Sequence, residues 1–175
     1  MLKYLIPQIA WQDLPWMLAM AALGAVLAGT YGMVHDQFTY TISPEYFTKL
    51  KFNQFRYADW GLGQRVYVGT IGFLATWWVG GIMAWFLARR IVPGQSRGMA
   101  LRQIVASFAI ILAGALLAGL WGYGYGLWRG PKADYSGWMW AAHELDVVDI
   151  YAFARVAYIH NAGYLEAVTK HSFAS

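Results

Sequence analysis

Three long apolar stretches without a charged side chain constrain this sequence more than any other feature. They cover residues 14–34, 66–88 and 104–128. Each is longer than the roughly 20 residues that an α-helix needs to cross a hydrocarbon layer of about 30 Å. The chain of 175 residues is also 59% apolar and 18% aromatic, which is more than a soluble domain of this size carries. The sequence therefore predicts an all-α membrane protein, a single membrane domain over 1–175 with three transmembrane helices.

The connection between the first two stretches, residues 35–65, is too polar to cross the membrane and is predicted to be an external loop. Near its centre Ser43, Pro44 and Glu45 form the pattern of a helix start, because serine caps free amides and proline fits the first turn. Aromatic and basic side chains follow at close to helical spacing, which favours a helix lying in the membrane interface.

The C-terminal segment, residues 129–175, is helical in composition from Trp138 onward but carries charged residues. We predict a surface helix here. A fourth transmembrane span is the alternative, although it would bury Arg155 and His160. Arginine at mid-membrane costs about 2.5 kcal/mol or more, which argues against the crossing.

Small residues recur along the spans in a way that predicts helix packing. The first span repeats a small side chain every four residues, and so does the second: Gly24, Ala28 and Gly32, and Gly72, Thr76, Gly80 and Ala84. Such stripes let two helix backbones approach closely in lipid, so the first two spans are expected to contact each other. In the third span the alternating Gly122, Gly124 and Gly126 predict a helix that loosens at an aromatic belt.

The charge pattern indicates the orientation. Four arginines and no acidic residue occupy the hairpin at residues 89–102, and by the positive-inside tendency this hairpin faces the cytoplasm. We therefore expect a bacterial inner membrane protein with a cytoplasmic N-terminus and a periplasmic 35–65 loop and C-terminus. The net charge of +4 lies beside the spans rather than on one solvated face, which indicates contact with membrane lipid and not with nucleic acid.

An odd number of spans gathers the candidate chemistry on one side, where all four histidines and eight of the nine acidic residues fall. The first candidate site combines His35 and Asp36 with Glu45 and His160, since imidazole and carboxylate bind Zn, Mn or Fe and act as general bases and acids. The spacing matches no known metal motif, and a polar boundary at the membrane surface is the alternative. Cysteine is absent, which excludes iron–sulfur clusters and zinc-thiolate sites.

A second candidate metal site is the pair His143 and Glu144. Asp146 lies three residues after His143 and so falls on the same face of a helix. A solvated, acidic helix start explains the same residues without a ligand, because negative charge there is favourable to the helix dipole.

Residues 31–52, which read YGMVHDQFTYTISPEYFTKLKF, carry a resemblance to known proteins. The segment resembles a group of bacterial integral membrane proteins of unassigned function, in which an HDQxTYxISPEYFTKxKF segment follows the first span. Shorter similar segments occur at residues 76–80 and 160–165. In that group a further apolar span follows the last segment, whereas Glu166 and Lys170 follow it here. The resemblance assigns no role to any residue.

Two functions fit these observations. The first is a non-catalytic accessory subunit packed among other membrane subunits, because small-residue stripes and charge-free spans suit helices that bind helices. Its docking surface would be the start of the loop helix: Ser43, Pro44, Glu45, Tyr46 and Phe47. The second is a membrane-embedded metal-dependent enzyme or metal-binding module that uses His35, Asp36, Glu45 and His160. If those side chains meet within about 5 Å of one point, the second function is favoured.

Overall fold

The structure is a computed structural model that describes residues 10–162, and helices are the only regular elements in this range. Three of them, α1 (Leu14–Ile42), α3 (Gln64–Ile91) and α4 (Arg97–Arg129), are long and apolar enough to span a membrane. A short α2 consists of a π-helical segment, Tyr46–Lys51, and a helical turn, Phe52–Gln54. The chain continues after α4 with α5 (Met139–Leu145) and α6 (Ile150–Asn161). The prediction of an all-α membrane protein with three spans is confirmed.

Each spanning helix is longer than its apolar stretch, and two predictions are corrected by this. The predicted external loop 35–65 begins too early, because α1 continues through His35 to Ile42. A helix backbone satisfies its own hydrogen bonds whether its side chains are apolar or polar, so a polar residue does not end it. The helix ends at Ile42 because Pro44 disfavours the helical conformation of Ser43, the residue before it.

The second correction concerns α4, which we expected to loosen at its alternating glycines. The helix instead runs unbroken through Gly122, Gly124 and Gly126 to Arg129. Glycine permits the helical conformation as well as others, and the backbone hydrogen bonds of the helix favour it here. Two of these glycines also lie against a neighbouring helix, as described below.

The loop helix predicted at Ser43 is confirmed as α2. The Tyr46 amide donates a hydrogen bond to the Ser43 hydroxyl at 3.4 Å, which is the expected cap. The first turns of α2 are π-helical, a form that is rare and frequently found at functional sites.

The predicted C-terminal surface helix is divided into α5 and α6. At 12 residues α6 is about 18 Å long, shorter than a hydrocarbon layer of about 30 Å. Within the described range the candidate spans therefore number three. A fourth crossing would need residues from 163 onward, and these lie outside the described residues, as do residues 1–9.

The chain divides into two compact units, and unit 1 comprises residues up to 32 together with 72–112. Its core is a cluster of buried apolar side chains that includes Met17, Met20, Ala84, Ala88, Ile104 and Phe108. The predicted stripe contact between the first two spans is confirmed here. A Cβ at Gly24 would lie 2.7 Å from the Gly80 carbonyl oxygen, and the Thr76 hydroxyl donates to the Ala28 carbonyl at 2.8 Å.

Unit 2 comprises residues 33–71 and everything from 113 onward. Its buried core is aromatic and aliphatic and includes Tyr40, Tyr46, Phe47, Val68, Phe153 and Val156. The buried polar side chains of the described chain, Asp36, Thr39 and Ser43, all belong to this unit. Within the described chain, unit 2 therefore contains the buried polar side chains.

Candidate metal centre

Three of the four residues of the first candidate site meet in unit 2. His35 and Asp36 extend from α1 and His160 extends from α6, and their ligand atoms all lie within 4.8 Å of one another. Asp36 is 5% exposed, while both histidines are half-buried. Among residues 10–162 this is the only group of three or more histidine and carboxylate side chains close enough to share an ion. We call these three residues the His–Asp–His cluster.

A glycine stripe on α4 lets α6 approach closely enough to form this cluster. A Cβ at Gly122 would lie 2.7 Å from the Tyr158 carbonyl carbon, and one at Gly126 would lie 2.6 Å from Arg155 Cγ. Gly119 lies on the same helix face. A Cβ there would be at ordinary contact distance from His35 and Ile159, at 3.6 Å and 3.5 Å. Sequence reasoning missed this role. The signal was the spacing of three and then four residues, which places these glycines on one helix face.

The second ring nitrogen of His160 fixes how the cluster can bind. Nδ1 lies 2.9 Å from the Val156 carbonyl oxygen. A carbonyl oxygen only accepts hydrogen bonds, so Nδ1 carries the proton and donates. In neutral His160 the lone pair is therefore on Nε2, which faces the other two residues. This is the arrangement in which metal-binding histidines are usually held.

The contact between His160 and Asp36 then requires a positive charge. His160 Nε2 lies 3.2 Å from Asp36 Oδ1. A lone pair on nitrogen and an ionised carboxylate both accept, and two acceptors at this distance repel each other. A proton between the two atoms, or a cation bound by both, removes the repulsion. With metal bonds of about 2.0–2.2 Å, two ligand atoms about 3 Å apart suit a single ion.

Aromatic rings enclose the cluster. Tyr46 stacks on His160 with ring centroids 5.1 Å apart and an angle of 22° between the planes, and His35 meets His160 edge-on at 5.2 Å. Phe47 is fully buried and lies 6.3 Å from the His160 ring. Burial raises the pKa of the Tyr46 hydroxyl well above its usual range, and the negative charge of Asp36 acts in the same direction. Tyr46 is therefore a neutral wall of the site at physiological pH.

Lys51, at the end of the π-helical segment, adds a cation near this wall. Its ammonium lies 5.8 Å from the centre of the Tyr46 ring, within the range of a cation–π contact. Burial lowers the pKa of Lys51, and the charge of Asp36 opposes that shift.

Glu45, the fourth candidate, does not join the cluster. Its carboxylate accepts hydrogen bonds from the backbone amides of Val148, at 3.1 Å, and Asp149, at 2.8 Å. Asp149 in turn accepts from the Ala152 amide at 2.8 Å, as an N-cap does. Glu45 therefore stabilises the start of α6, the helix that carries His160.

The remaining predicted residues lie elsewhere. His143 and Glu144 are exposed on α5 and belong to no metal-binding group in the described chain. In the predicted docking surface, Ser43, Tyr46 and Phe47 are 1%, 6% and 0% exposed, because the core of unit 2 takes up these side chains. Pro44 is the exposed member of that set, so most of the set is not available to a partner.

We compared the chain with protein-family models, with curated proteins and with solved structures, and none of the three comparisons found a match.

Proposed function

We propose that this protein is a membrane-embedded metal-binding module whose His–Asp–His cluster holds one divalent first-row transition metal ion. The observation that carries the proposal is the convergence of three ligand side chains from α1 and α6 within 4.8 Å. Two imidazoles and one carboxylate suit Zn, Mn or Fe(II), and the absence of thiolates disfavours the sites that depend on sulfur. The bond from His160 Nδ1 to the Val156 carbonyl prepares Nε2 as a ligand.

Three protein ligands leave at least one coordination position for water or substrate, as in catalytic metal sites. His160 retains 20% of its side-chain exposure, which supports access from outside. The module would therefore act as a metal-dependent enzyme whose ion activates a bound water or polarises a substrate oxygen. We place it in a bacterial inner membrane, with the cluster on the periplasmic side, because the arginine hairpin at 89–102 favours that orientation.

A non-catalytic subunit of a membrane assembly is the second candidate. It is favoured by α4, in which only 17% of the most apolar window is buried, against 33% in α1 and 28% in α3. A helix so little covered by its own chain has room for other membrane helices. The burial of most of the predicted docking surface counts against this candidate.

Metal analysis of the protein purified in mild detergent tests the proposal. We expect about one ion per chain, and a metal affinity that falls about 100-fold or more in His160→Ala and Asp36→Asn, since even supporting residues of metal sites contribute 10- to 100-fold. The matched control is His143→Ala, which removes an exposed histidine outside the cluster and should retain the ion. Metal-free protein that is recovered only with other subunits would contradict the metal site and favour the second candidate.

A further inference from the structure

Two arginines of unit 2 lie among tyrosine rings where α4 ends and α6 begins. The guanidinium carbon of Arg155 lies 4.4 Å from the centre of the Tyr151 ring and 6.0 Å from that of Tyr123. The guanidinium carbon of Arg129 lies 5.1 Å from the Tyr135 ring. We call the set the arginine–tyrosine cluster: Arg129, Arg155, Tyr123, Tyr135, Tyr151 and Tyr158.

Neither arginine forms an ion pair with a carboxylate in the described chain, although hydrogen bonding to Ser136, and to a smaller extent the charge of Arg129, lowers the pKa of the Asp134 carboxyl. Arg129 donates to the Tyr158 hydroxyl at 3.0 Å and to the Asp134 backbone carbonyl. Arg155 makes no hydrogen bond or ion pair within residues 10–162, and its Nε is buried without a partner. The nearby Asp134 carboxylate accepts from the Ser136 amide at 2.8 Å instead. A guanidinium has five N–H donors, so within residues 10–162 most donors of Arg155 have no protein partner.

The guanidinium of Arg155 is held in place by its surroundings. Its stem packs against Gly126, where a Cβ would lie 2.6 Å from Arg155 Cγ. The Tyr151 ring covers one side of the group, and Tyr123 borders it from α4. A planar guanidinium fixed in this way matches the oxygens of a phosphate or carboxylate with two parallel hydrogen bonds, and little side-chain entropy is lost on binding.

The position of the cluster along α4 indicates which anion it meets. Trp121 and Trp128, in the last turns of the same helix, are 71% and 81% exposed. Exposed tryptophans at the end of a spanning helix lie at the level of the lipid headgroups. The phosphate groups of the membrane are found at this depth.

We propose that the arginine–tyrosine cluster is a binding site for the phosphate of an anionic phospholipid headgroup. Arg155 supplies the bidentate contact and Arg129 the second positive charge. The site is separate from the His–Asp–His cluster and does not depend on a bound metal.

Native mass spectrometry in detergent with added phosphatidylglycerol tests this site. Arg155→Gln removes the charge-assisted hydrogen bonds and should weaken phosphatidylglycerol binding about 10- to 100-fold. Arg155→Lys keeps the positive charge and the aliphatic part of the side chain but loses the bidentate guanidinium, so we expect an intermediate loss of affinity. The matched control is Arg97→Gln at the other end of α4, an exposed arginine, and it should change the affinity by less than about twofold.

Inorganic phosphate distinguishes the source of the anion. It should displace phosphatidylglycerol only weakly, because the lipid's glycerol and acyl chains add contacts that the free ion lacks. If inorganic phosphate binds as tightly as the lipid and depends on Arg155, the ligand is a soluble phosphate compound and the lipid assignment is wrong. Unchanged phosphatidylglycerol binding in both Arg155 variants would overturn the site altogether.

Discussion

In both compact units, glycines let two helices pack closely, but the groups that the contact brings together differ. In unit 1, Gly24 and Gly80 let α1 and α3 touch, and the groups around them are apolar: Ala84, Phe108 and Ala28. In unit 2, Gly122 and Gly126 bring α6 against α4, and that contact carries His160 towards Asp36. A small-residue contact thus supplies packing energy in unit 1 and positions chemical groups in unit 2. Mutations of equal size should accordingly change stability in one unit and ligand binding in the other.

The largest expected effect is that of Gly122→Leu on metal affinity. A leucine side chain here would overlap the Tyr158 backbone and push α6 away from α4, so His160 would leave its position beside Asp36. We expect the metal affinity to fall about 100-fold, or about 2.7 kcal/mol, as measured by isothermal titration with Zn²⁺ or Co²⁺.

The control for that variant is Gly124→Leu, because nothing lies within 4 Å of a Cβ at Gly124. It adds the same side chain two residues away on the open side of α4. Loss of metal binding in this control as well would show that α4 itself, and not the contact with α6, had been disturbed.

Gly80→Leu in unit 1 should have the next largest effect, and on stability. The added side chain meets the Gly24 backbone and the Ala28 side chain, and overpacking of this kind costs about 1–3 kcal/mol. When dodecyl sulfate is added to the protein in mild detergent, we expect the Gly80→Leu variant to unfold at a lower fraction of dodecyl sulfate than the original protein. The folded protein should keep its metal.

Gly98→Leu is the matched control, since a Cβ at Gly98 has open space around it. Equal destabilisation by the two variants would mean that the apolar contact of α1 with α3 contributes nothing particular to unit 1.

The smallest of the three effects is expected for Glu45→Gln. This change removes the negative charge that accepts from the Val148 and Asp149 amides, and a charge at a helix N-terminus is worth about 0.3–1 kcal/mol. The free energy of unfolding, measured by thermal denaturation, should fall by that amount, while metal binding should be retained. Glu144→Gln, an exposed carboxylate on α5, should have no measurable effect. Complete loss of metal in Glu45→Gln would instead make Glu45 a ligand.

The spans could be predicted from sequence because membrane hydrophobicity is a local property of about 20 residues. Their ends could not. The α1 helix passes through His35 and Asp36 to Ile42, since backbone hydrogen bonding continues until Pro44 interrupts it. The Gly80 contact was predictable from its four-residue repeat, and the Gly122 contact was missed because alternating glycines suggested flexibility.

Three of the four residues proposed for the candidate site lie together, but their arrangement could not be predicted from the sequence. His35, Asp36 and His160 could be named from their residue types. Their meeting depends on α6 docking, which local pattern does not encode. Adjacent helix residues lie about 100° apart, so the sequence places His35 and Asp36 in different directions around α1. They can still share a third partner that lies between their two directions. Glu45 has the same chemistry but is engaged by backbone amides that only the folded chain presents.

The contact of Asp36 with His160 joins residues that are 124 positions apart in the chain. Synthesis at about 5–20 residues per second separates their appearance by about 6–25 s. During that interval α1 has been synthesised with His35 and Asp36, but His160 has not yet been added to the chain. An ion held by all three residues therefore requires a chain whose translation has passed residue 160.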